Sequence, residues 1–287
     1  MTRPTILLTG ANGQVGFELR RALAPHGAVT ACDRSTLDLA DRDALVSVVR
    51  SLKPQLIVNA AAYTAVDRAE SEPERAEAIN ATAPAILAEE AKRIDAALIH
   101  FSTDYVFDGA RAAPYDEQAP TRPLNVYGRS KRDGEIAIVA LVDAHLIFRT
   151  SWVYGLRGGN FLLTMLRLAA EREELRVVAD QVGVPNWSRD LAETVAGIIG
   201  QGMPALVERS GLYHLSAHDA ATWYDFARAI IGDVERPRVI PITTAEYPTP
   251  AQRPAYGVLG TGKFEATFGL ALPTWRDALQ RCLATRT

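Results

Sequence analysis

Short apolar runs alternate with amphipathic stretches through the first half of the chain. Ile6-Leu7-Leu8, Val29-Thr30-Ala31-Cys32, Leu56-Ile57-Val58-Asn59, Ala97-Leu98-Ile99-His100-Phe101 and Leu146-Ile147-Phe148 read as strands. Between them, Gln14 to Leu23, Arg42 to Ser51 and Ser71 to Arg93 carry apolar residues at helical spacing. Strands this apolar, separated by helices, predict a parallel sheet covered on both faces. Ser71, ahead of Glu72-Pro73-Glu74, predicts an N-cap, and Pro84 predicts a kink or restart in that helix.

After residue 150 the rhythm loosens. Asn160 to Arg172, Asp190 to Ile199 and Thr222 to Ile231 predict helices, and Leu175 to Val178 and Leu212 to Leu215 predict strands. Pro237, Pro241, Pro248, Pro250 and Pro254 predict loops. The predicted class is α/β: a Rossmann-type doubly wound parallel sheet with a smaller α/β substrate-binding lobe. Residues 1–150 form the expected dinucleotide-binding domain and 151–287 mainly the lobe, with room for later segments to return to the main sheet.

Composition narrows the function classes. The 287 residues are 48% hydrophobic and 23% charged, as in ordinary globular proteins. A net charge of −3, without a basic run, argues against a nucleic-acid partner. Cys32 and Cys282 have no metal-type spacing, so no disulfide framework is expected and a reducing cytoplasm is the natural compartment. Ile136 to Phe148 is interrupted by Asp143 and His145 and falls short of the roughly 20 residues a bilayer needs, so no membrane partner is expected. Met1-Thr2-Arg3-Pro4 runs straight into a strand, which predicts no signal peptide.

Gly10-Ala11-Asn12-Gly13-Gln14-Val15-Gly16 follows the first strand and opens the first helix. Glycines at this spacing allow a tight turn and let backbone N–H groups approach a pyrophosphate at the helix N-terminus. By itself such a run is also an ordinary Gly-rich turn; its place in a βαβ unit favours dinucleotide binding. Asp33 ends the second strand about 20 residues on, where an acid meets the adenosine ribose, and Arg34 offers a cation for a 2′-phosphate. Asp38-Leu39 and Ala60-Ala61-Ala62-Tyr63 follow the second and third strands; the small residues suit either a cofactor lying on the backbone or a tight turn. Tyr127 and Lys131 stand at i and i+4 on a predicted helix and point the same way. A phenol near pKa 10 is too weak an acid at neutral pH, and an ammonium beside it favours the phenolate, which gives an acid/base pair. Ser102-Thr103-Asp104 ends the fourth strand, on the edge where ligands bind, and a hydroxyl there serves either a substrate oxygen or a turn.

Together the glycine motif, the Tyr127/Lys131 pair and the Ser/Thr before them resemble the extended short-chain dehydrogenases/reductases. Within that group, Asn59-Ala60-Ala61-Ala62-Tyr63-Thr64-Ala65-Val66-Asp67, Ser102-Thr103-Asp104-Tyr105-Val106-Phe107, Asn125-Val126-Tyr127-Gly128, Phe148-Arg149-Thr150-Ser151-Trp152-Val153-Tyr154 and Tyr247-Pro248-Thr249-Pro250-Ala251 resemble the dTDP-4-dehydrorhamnose reductase family. The likeness runs from the first strand to about Trp275. It implies reduction of dTDP-4-dehydro-L-rhamnose at C4 with NADPH or NADH, the last step in making the rhamnose donor. By the same resemblance Tyr127 gives the proton, Lys131 holds the nicotinamide ribose, and Thr103 bonds the C4 oxygen. Gly13, Gln14, Val15, Asp33, Asp38, Leu39, Ala62, Tyr63 and Thr64 line the cofactor, beside Gly10, Asn12, Gly16, Arg34 and Ala60 of the motifs above. Thr103, Asp104 and Trp152 contact the dTDP-sugar, with Asn160, Gln181 and Arg253 as further substrate candidates.

Some members of the resembled family join subunits through Mg²⁺ held by glutamates. One such position matches Glu18, but the other two fall on Arg189 and Arg276, which have no lone pair for a metal. No metal is expected; either Glu18 pairs with the arginines or all three are solvated surface charges, and the chain is expected to be a monomer or homodimer. Two other functions stay open at this point: a non-catalytic regulatory subunit like that of methionine adenosyltransferase, and a nucleotide-sugar dehydratase or epimerase.

Overall fold

The computed structural model describes residues 3–232 and 235–286; Met1 and Thr2, the start of the segment read for a leader, lie outside them. The first half runs β1 (Thr5–Thr9), α1 (Gln14–Leu23), β2 (Ala28–Cys32), α2 (Arg42–Leu52), β3 (Leu56–Asn59), α3 (Val66–Ala69), α4 (Pro73–Glu77), α5 (Ala83–Arg93), β4 (Ala97–Thr103), α6 (Val126–Leu141) and β5 (His145–Thr150). The second half runs β6 (Val153–Tyr154), α7 (Phe161–Glu171), β7 (Glu174–Val178), β8 (Val182–Gly183), β9 (Asn186–Trp187), α8 (Ser188–Gly200), α9 (Met203–Glu208), β10 (Gly211–His214), β11 (Ala221–Thr222), α10 (Trp223–Ile231), β12 (Arg238–Ile242), α11 (Gly262–Phe268) and α12 (Trp275–Ala284).

Six strands pair in the order β10-β5-β4-β3-β1-β2, every pair parallel. Side chains alternate across this sheet, so each strand feeds two cores. Ile6, Leu8, Leu56, Val58 and Ile99 pack under α1 and α8, against Leu19, Leu23, Leu191 and Val195. Leu7, Ile57, Leu98 and Ile147 pack under α2, α5 and α6, against Leu45, Val49, Leu87 and Ile138. The fold is thus a doubly wound Rossmann-like sheet. The chain leaves β1 for β2 on one side and returns to β3 on the other, so a crevice opens between β1 and β3 at their carboxyl ends. Smaller two-stranded sheets, β12-β7, β11-β8 and β6-β9, lie outside it, while β10 brings the second half of the chain back to its edge.

Of three local expectations, two are corrected and one holds. Ser71 does not cap α4: Glu72 holds the N-cap position without a side-chain bond, and the Ser71 hydroxyl donates to the Arg68 carbonyl. Pro84 marks the restart that the sequence predicts. A π-helical turn, Ala78–Thr82, joins α4 to α5, and Pro84 sits in the first turn of α5, where an amide proton has no obligatory partner. The proline-rich stretch is not all loop: Arg238–Ile242, with Pro241 inside it, pairs with β7 alone, and an edge strand tolerates proline because one side of it needs no ladder bonds.

Candidate active site

The glycine run folds into the β1/β3 crevice. Gly10 has φ +72°, and a Cβ there would lie 2.7 Å from Ala61 Cα and N. Only a glycine permits this turn and the close approach of the two strand ends. Gly13 is the N-cap of α1, which begins at Gln14 and Val15 with no side-chain cap, so the first amides of the helix face the crevice. The bare, strapped-down loop fits a dinucleotide pyrophosphate. At the end of β2, Asp33 accepts bonds from Ser35 and Thr36 and from the Asn12 amide. These bonds, that of the Ser35 hydroxyl first, hold its carboxyl below the ordinary range, so it stays ionised. Arg34 beside it is exposed. Asp38 turns its carboxylate to the Ala40 amide while Leu39 is buried.

Ala60, Ala61 and Ala62 are half-buried along the crevice wall and Thr64 is exposed. Tyr63 points its hydroxyl away, to Glu72 at 2.7 Å, and what it offers the crevice is backbone. That backbone is fixed by Asn80 in the π-helical turn, whose amide bonds both Tyr63 N and Tyr63 O and also the Ser130 hydroxyl. Asn80 is fully buried and was not foreseen from the sequence; a polar residue amid alanines, Ala78 to Ala83, was its only mark.

Tyr127 and Lys131 lie on α6. Asn125 caps that helix, accepting from Gly128 N and donating to the Gln252 carbonyl, each at 2.8 Å. A Cβ on Gly128 would lie 2.2 Å from the Tyr105 carbonyl, so the glycine lets the first turn of α6 rest on the turn after β4. This seat brings Tyr127 to Thr103 and edge-on to Tyr105, ring centroids 5.6 Å apart. Thr103 accepts from Tyr105 N and donates to Asp104 Oδ1. Burial raises the Tyr127 phenol to about 12, opposed by the Thr103 bond, and raises Asp104 to about 7.

Lys131 is engaged on β4 in this structure. Its ε-nitrogen lies 2.6 Å from the Phe101 carbonyl and 3.0 Å from His100 Nε2, and burial brings it down to about 8. The phenol therefore keeps its proton, held more firmly by burial than in a free tyrosine, next to the Thr103 hydroxyl.

Across the crevice, Trp152 has φ +42° and stacks on Trp223 with centroids 3.6 Å apart. Arg253 is gripped by Asp67 and bonds Thr249. Gln181 is buried and donates to the Thr244 hydroxyl. The Asn160 amide is committed within the protein: it caps α7 and donates to Gly155 O, Arg157 O and Gln14 Oε1. Gln14 also reaches Val153 O at 3.3 Å, which links the glycine loop to the segment that carries Trp152. Trp223 and Asp67 were not singled out as site residues, since each acquires its partner only through tertiary contact.

Glu18 pairs with Arg189 at 3.3 Å and with Arg21. Arg276 is not with them; it lies over the Trp275 ring. Among the described residues no group of three or more acids, histidines or cysteines is placed to hold a metal, and no helix is long and apolar enough to cross a membrane.

The family described as RmlD substrate binding domain matches residues 4–287. A dTDP-4-dehydrorhamnose reductase of Burkholderia thailandensis is 45% identical, with 97% of each chain covered. One of Escherichia coli is 47% identical over 97% of this chain and 96% of its own. The crystal structure of the Bacillus anthracis dTDP-4-dehydrorhamnose reductase in complex with NADP superposes with a TM-score of 0.92, at 36% identity, covering 99% of both chains. A match over nearly the whole length, on a fold whose crevice carries the glycine cradle and the Thr103/Tyr127 pair, means that this chain belongs to the RmlD substrate binding domain family, alongside the dTDP-4-dehydrorhamnose reductases.

Proposed function

We propose that the chain is an NAD(P)H-dependent oxidoreductase that reduces dTDP-4-dehydro-β-L-rhamnose at C4 to dTDP-β-L-rhamnose, the last step of dTDP-rhamnose biosynthesis. The observation that carries this reading is the seat of Tyr127 against Thr103 at the carboxyl end of β4, across from the glycine cradle. The two hydroxyls meet there, and the Thr103 proton, now on Asp104 Oδ1, can turn with that of Tyr127 to a carbonyl oxygen that gains charge as it is reduced.

In this reading Gly10, Asn12, Gly13, Gln14, Val15 and Gly16 receive the pyrophosphate, and Asp33, Arg34, Asp38 and Leu39 receive the adenosine end. Ala60, Ala62, Tyr63 and Thr64 form the wall, and Tyr127 and Lys131 meet the nicotinamide ribose. The bound nicotinamide supplies the hydride. Tyr127 passes its phenolic proton to the C4 oxygen while Thr103 donates to the same oxygen, so the alkoxide is never left bare. Asp104 and Trp152 hold the sugar, and Arg253, preset by Asp67, offers its charge to the nucleotide phosphates. Gln181 borders the sugar side. Asn160 acts through the loop it organises. Residues 1–150 chiefly serve the dinucleotide and 151–287 chiefly the sugar nucleotide. We place the protein in the cytoplasm, as a monomer or homodimer without nucleic-acid or membrane partners, a view supported by its charge of −3 and two buried free cysteines.

The test is turnover of the dTDP-4-dehydro sugar with NADPH and with NADH, with the product identified by NMR. Stoichiometric oxidation of the cofactor and a dTDP-rhamnose product are expected. A redox-neutral conversion, or no conversion, would overturn the reading.

A further inference from the structure

One buried group takes no part in the chemistry above: His100, in the middle of β4. Its ring is fully enclosed, with Nδ1 3.0 Å from Asn59 Nδ2 and Nε2 3.0 Å from Lys131 Nζ. Asn59 Oδ1 accepts in turn from the Thr9 hydroxyl at 2.6 Å and from the Ala61 amide at 3.3 Å. A string of buried side chains thus runs from β1 through β3 and β4 to the lysine on α6. Asn59 ends β3 just before Ala61, which touches Gly10 of the cradle.

The donors and acceptors along this string are countable. A neutral imidazole has one N–H and one lone pair, and an ammonium has three donors and no lone pair. The Ala61 amide can only donate, so Asn59 gives it the oxygen and turns the NH₂ toward Nδ1. Nδ1 then accepts, and the single ring proton lies on Nε2, facing Lys131. A neutral lysine amine has the lone pair this proton needs, and it still donates to the Phe101 carbonyl. A charged lysine requires the other arrangement: the ring proton on Nδ1, the Asn59 amide turned over, and the Ala61 bond given up.

We propose that His100 is a positioning residue for Lys131: it holds the ε-nitrogen in place, and its tautomer follows the charge of the lysine. Burial brings Lys131 down to about 8 and His100 well below its ordinary value, in accord with a neutral ring beside a lysine that changes charge near neutrality. Of the charged groups around the pair, Glu135 on α6 acts on Lys131 and is itself held by Arg149 of β5 at 2.6 Å. Tyr127 stands one turn earlier on α6, while β1 and β3 offer only the uncharged Thr9 and Asn59. The kinetic part of the inference rests on the reductase reading; the spectroscopic part does not.

With five histidines in the chain, ring ¹⁵N labelling of the intact protein resolves tautomers by long-range ¹H–¹⁵N spectra. His100 is expected to change from the Nδ1–H to the Nε2–H form around pH 8, the lysine's own value, without taking up a proton. In Lys131→Met that change is expected to vanish. Ring shifts that are level across this range, or the same in Lys131→Met, overturn the proposal. In turnover, His100→Leu is expected to lower kcat about tenfold and to move its pH profile by about one unit. His100→Gln, which keeps a polar atom near Nζ, restores most of both. An unshifted profile in His100→Leu, or equal impairment in the two variants with the profile unmoved, overturns it as well. If His100→Leu fails to fold, the spectra of the wild type and Lys131→Met decide. If the wild type itself turns nothing over, the reductase reading fails and the spectra still judge His100.

Discussion

Arg253 and Asp67 meet as a fork on a fork, Nη1 to Oδ1 at 3.1 Å and Nη2 to Oδ2 at 3.0 Å, joining the proline-rich loop to α3. The two parallel bonds fix the plane of the guanidinium before any ligand arrives. Asp67→Asn keeps the shape but loses the charge and one acceptor. The KM for the sugar nucleotide is expected to rise about tenfold, roughly 1.4 kcal/mol, with a smaller change in kcat and in the dinucleotide KM. The Arg253 bonds hold the Asp67 carboxyl below its ordinary value. A depressed carboxylate keeps its pairing above the unfolded value and loses it only as pH falls through the lower, folded one. Asp104 acts on both proteins alike, so the ratio of the Asp67→Asn to the wild-type sugar KM should stay level from neutrality down to about pH 4. A ratio that collapses toward one near pH 6 would contradict this.

Tyr127→Phe removes the proton and leaves the ring on Tyr105. A loss of about 10²–10⁴ in kcat is expected, the usual worth of a general acid, with dinucleotide binding, followed by fluorescence titration, nearly unchanged. Turnover near the wild-type rate would remove Tyr127 from the chemistry.

Asp104 gives a stability test with a definite sign. Burial raises its carboxyl from 3.8 to about 7. Between those values the folded chain binds more protons than the unfolded one, so this group makes stability fall as pH rises through the window and level off above it. Asp104→Asn is expected to raise Tm at pH 8, with the gain shrinking toward pH 4. A gain independent of pH would mean that the carboxyl titrates normally. Turnover should fall in the same variant, because Asp104 borders the sugar in the proposed reading.

Arg34 is exposed at the end of β2 beside an ionised Asp33. Arg34→Ala is expected to weaken NADPH more than NADH, while both cofactors support turnover in the wild type. Equal losses in steady-state constants for the two would show that the arginine does not read the 2′-phosphate.

Glu18 already spends its carboxylate on Arg189 and Arg21. Activity and oligomeric state are expected to be indifferent to EDTA. Metal-dependent dissociation in sedimentation would overturn this.

Features written in local pattern were legible from the sequence. The unbroken apolar run Ile6, Leu7 and Leu8, buried throughout, marks a strand covered on both faces, and the glycines mark a turn that other residues cannot make. The four-residue spacing of Tyr127 and Lys131 puts them on one helix face, but not what each one touches. Lys131 finds His100 on a strand 31 positions earlier, and Trp152 finds Trp223 from another element. Such partners are set by how elements dock, which no window of sequence contains. The π-helical turn at Asn80 escaped for a related reason. Its alanines have high helix propensity, and the wide turn is imposed by packing on α6. Pro241 misled in the opposite direction, because its strand has a free edge.

Gln14 is held by Asn160 and by the Val153 carbonyl, so one side chain of the glycine loop is shared with the segment that carries Trp152. A dinucleotide that steadies the glycine loop is therefore expected to steady the Trp152 segment as well. Tighter sugar-nucleotide binding with the dinucleotide already in place is the expected outcome, although the two need never touch.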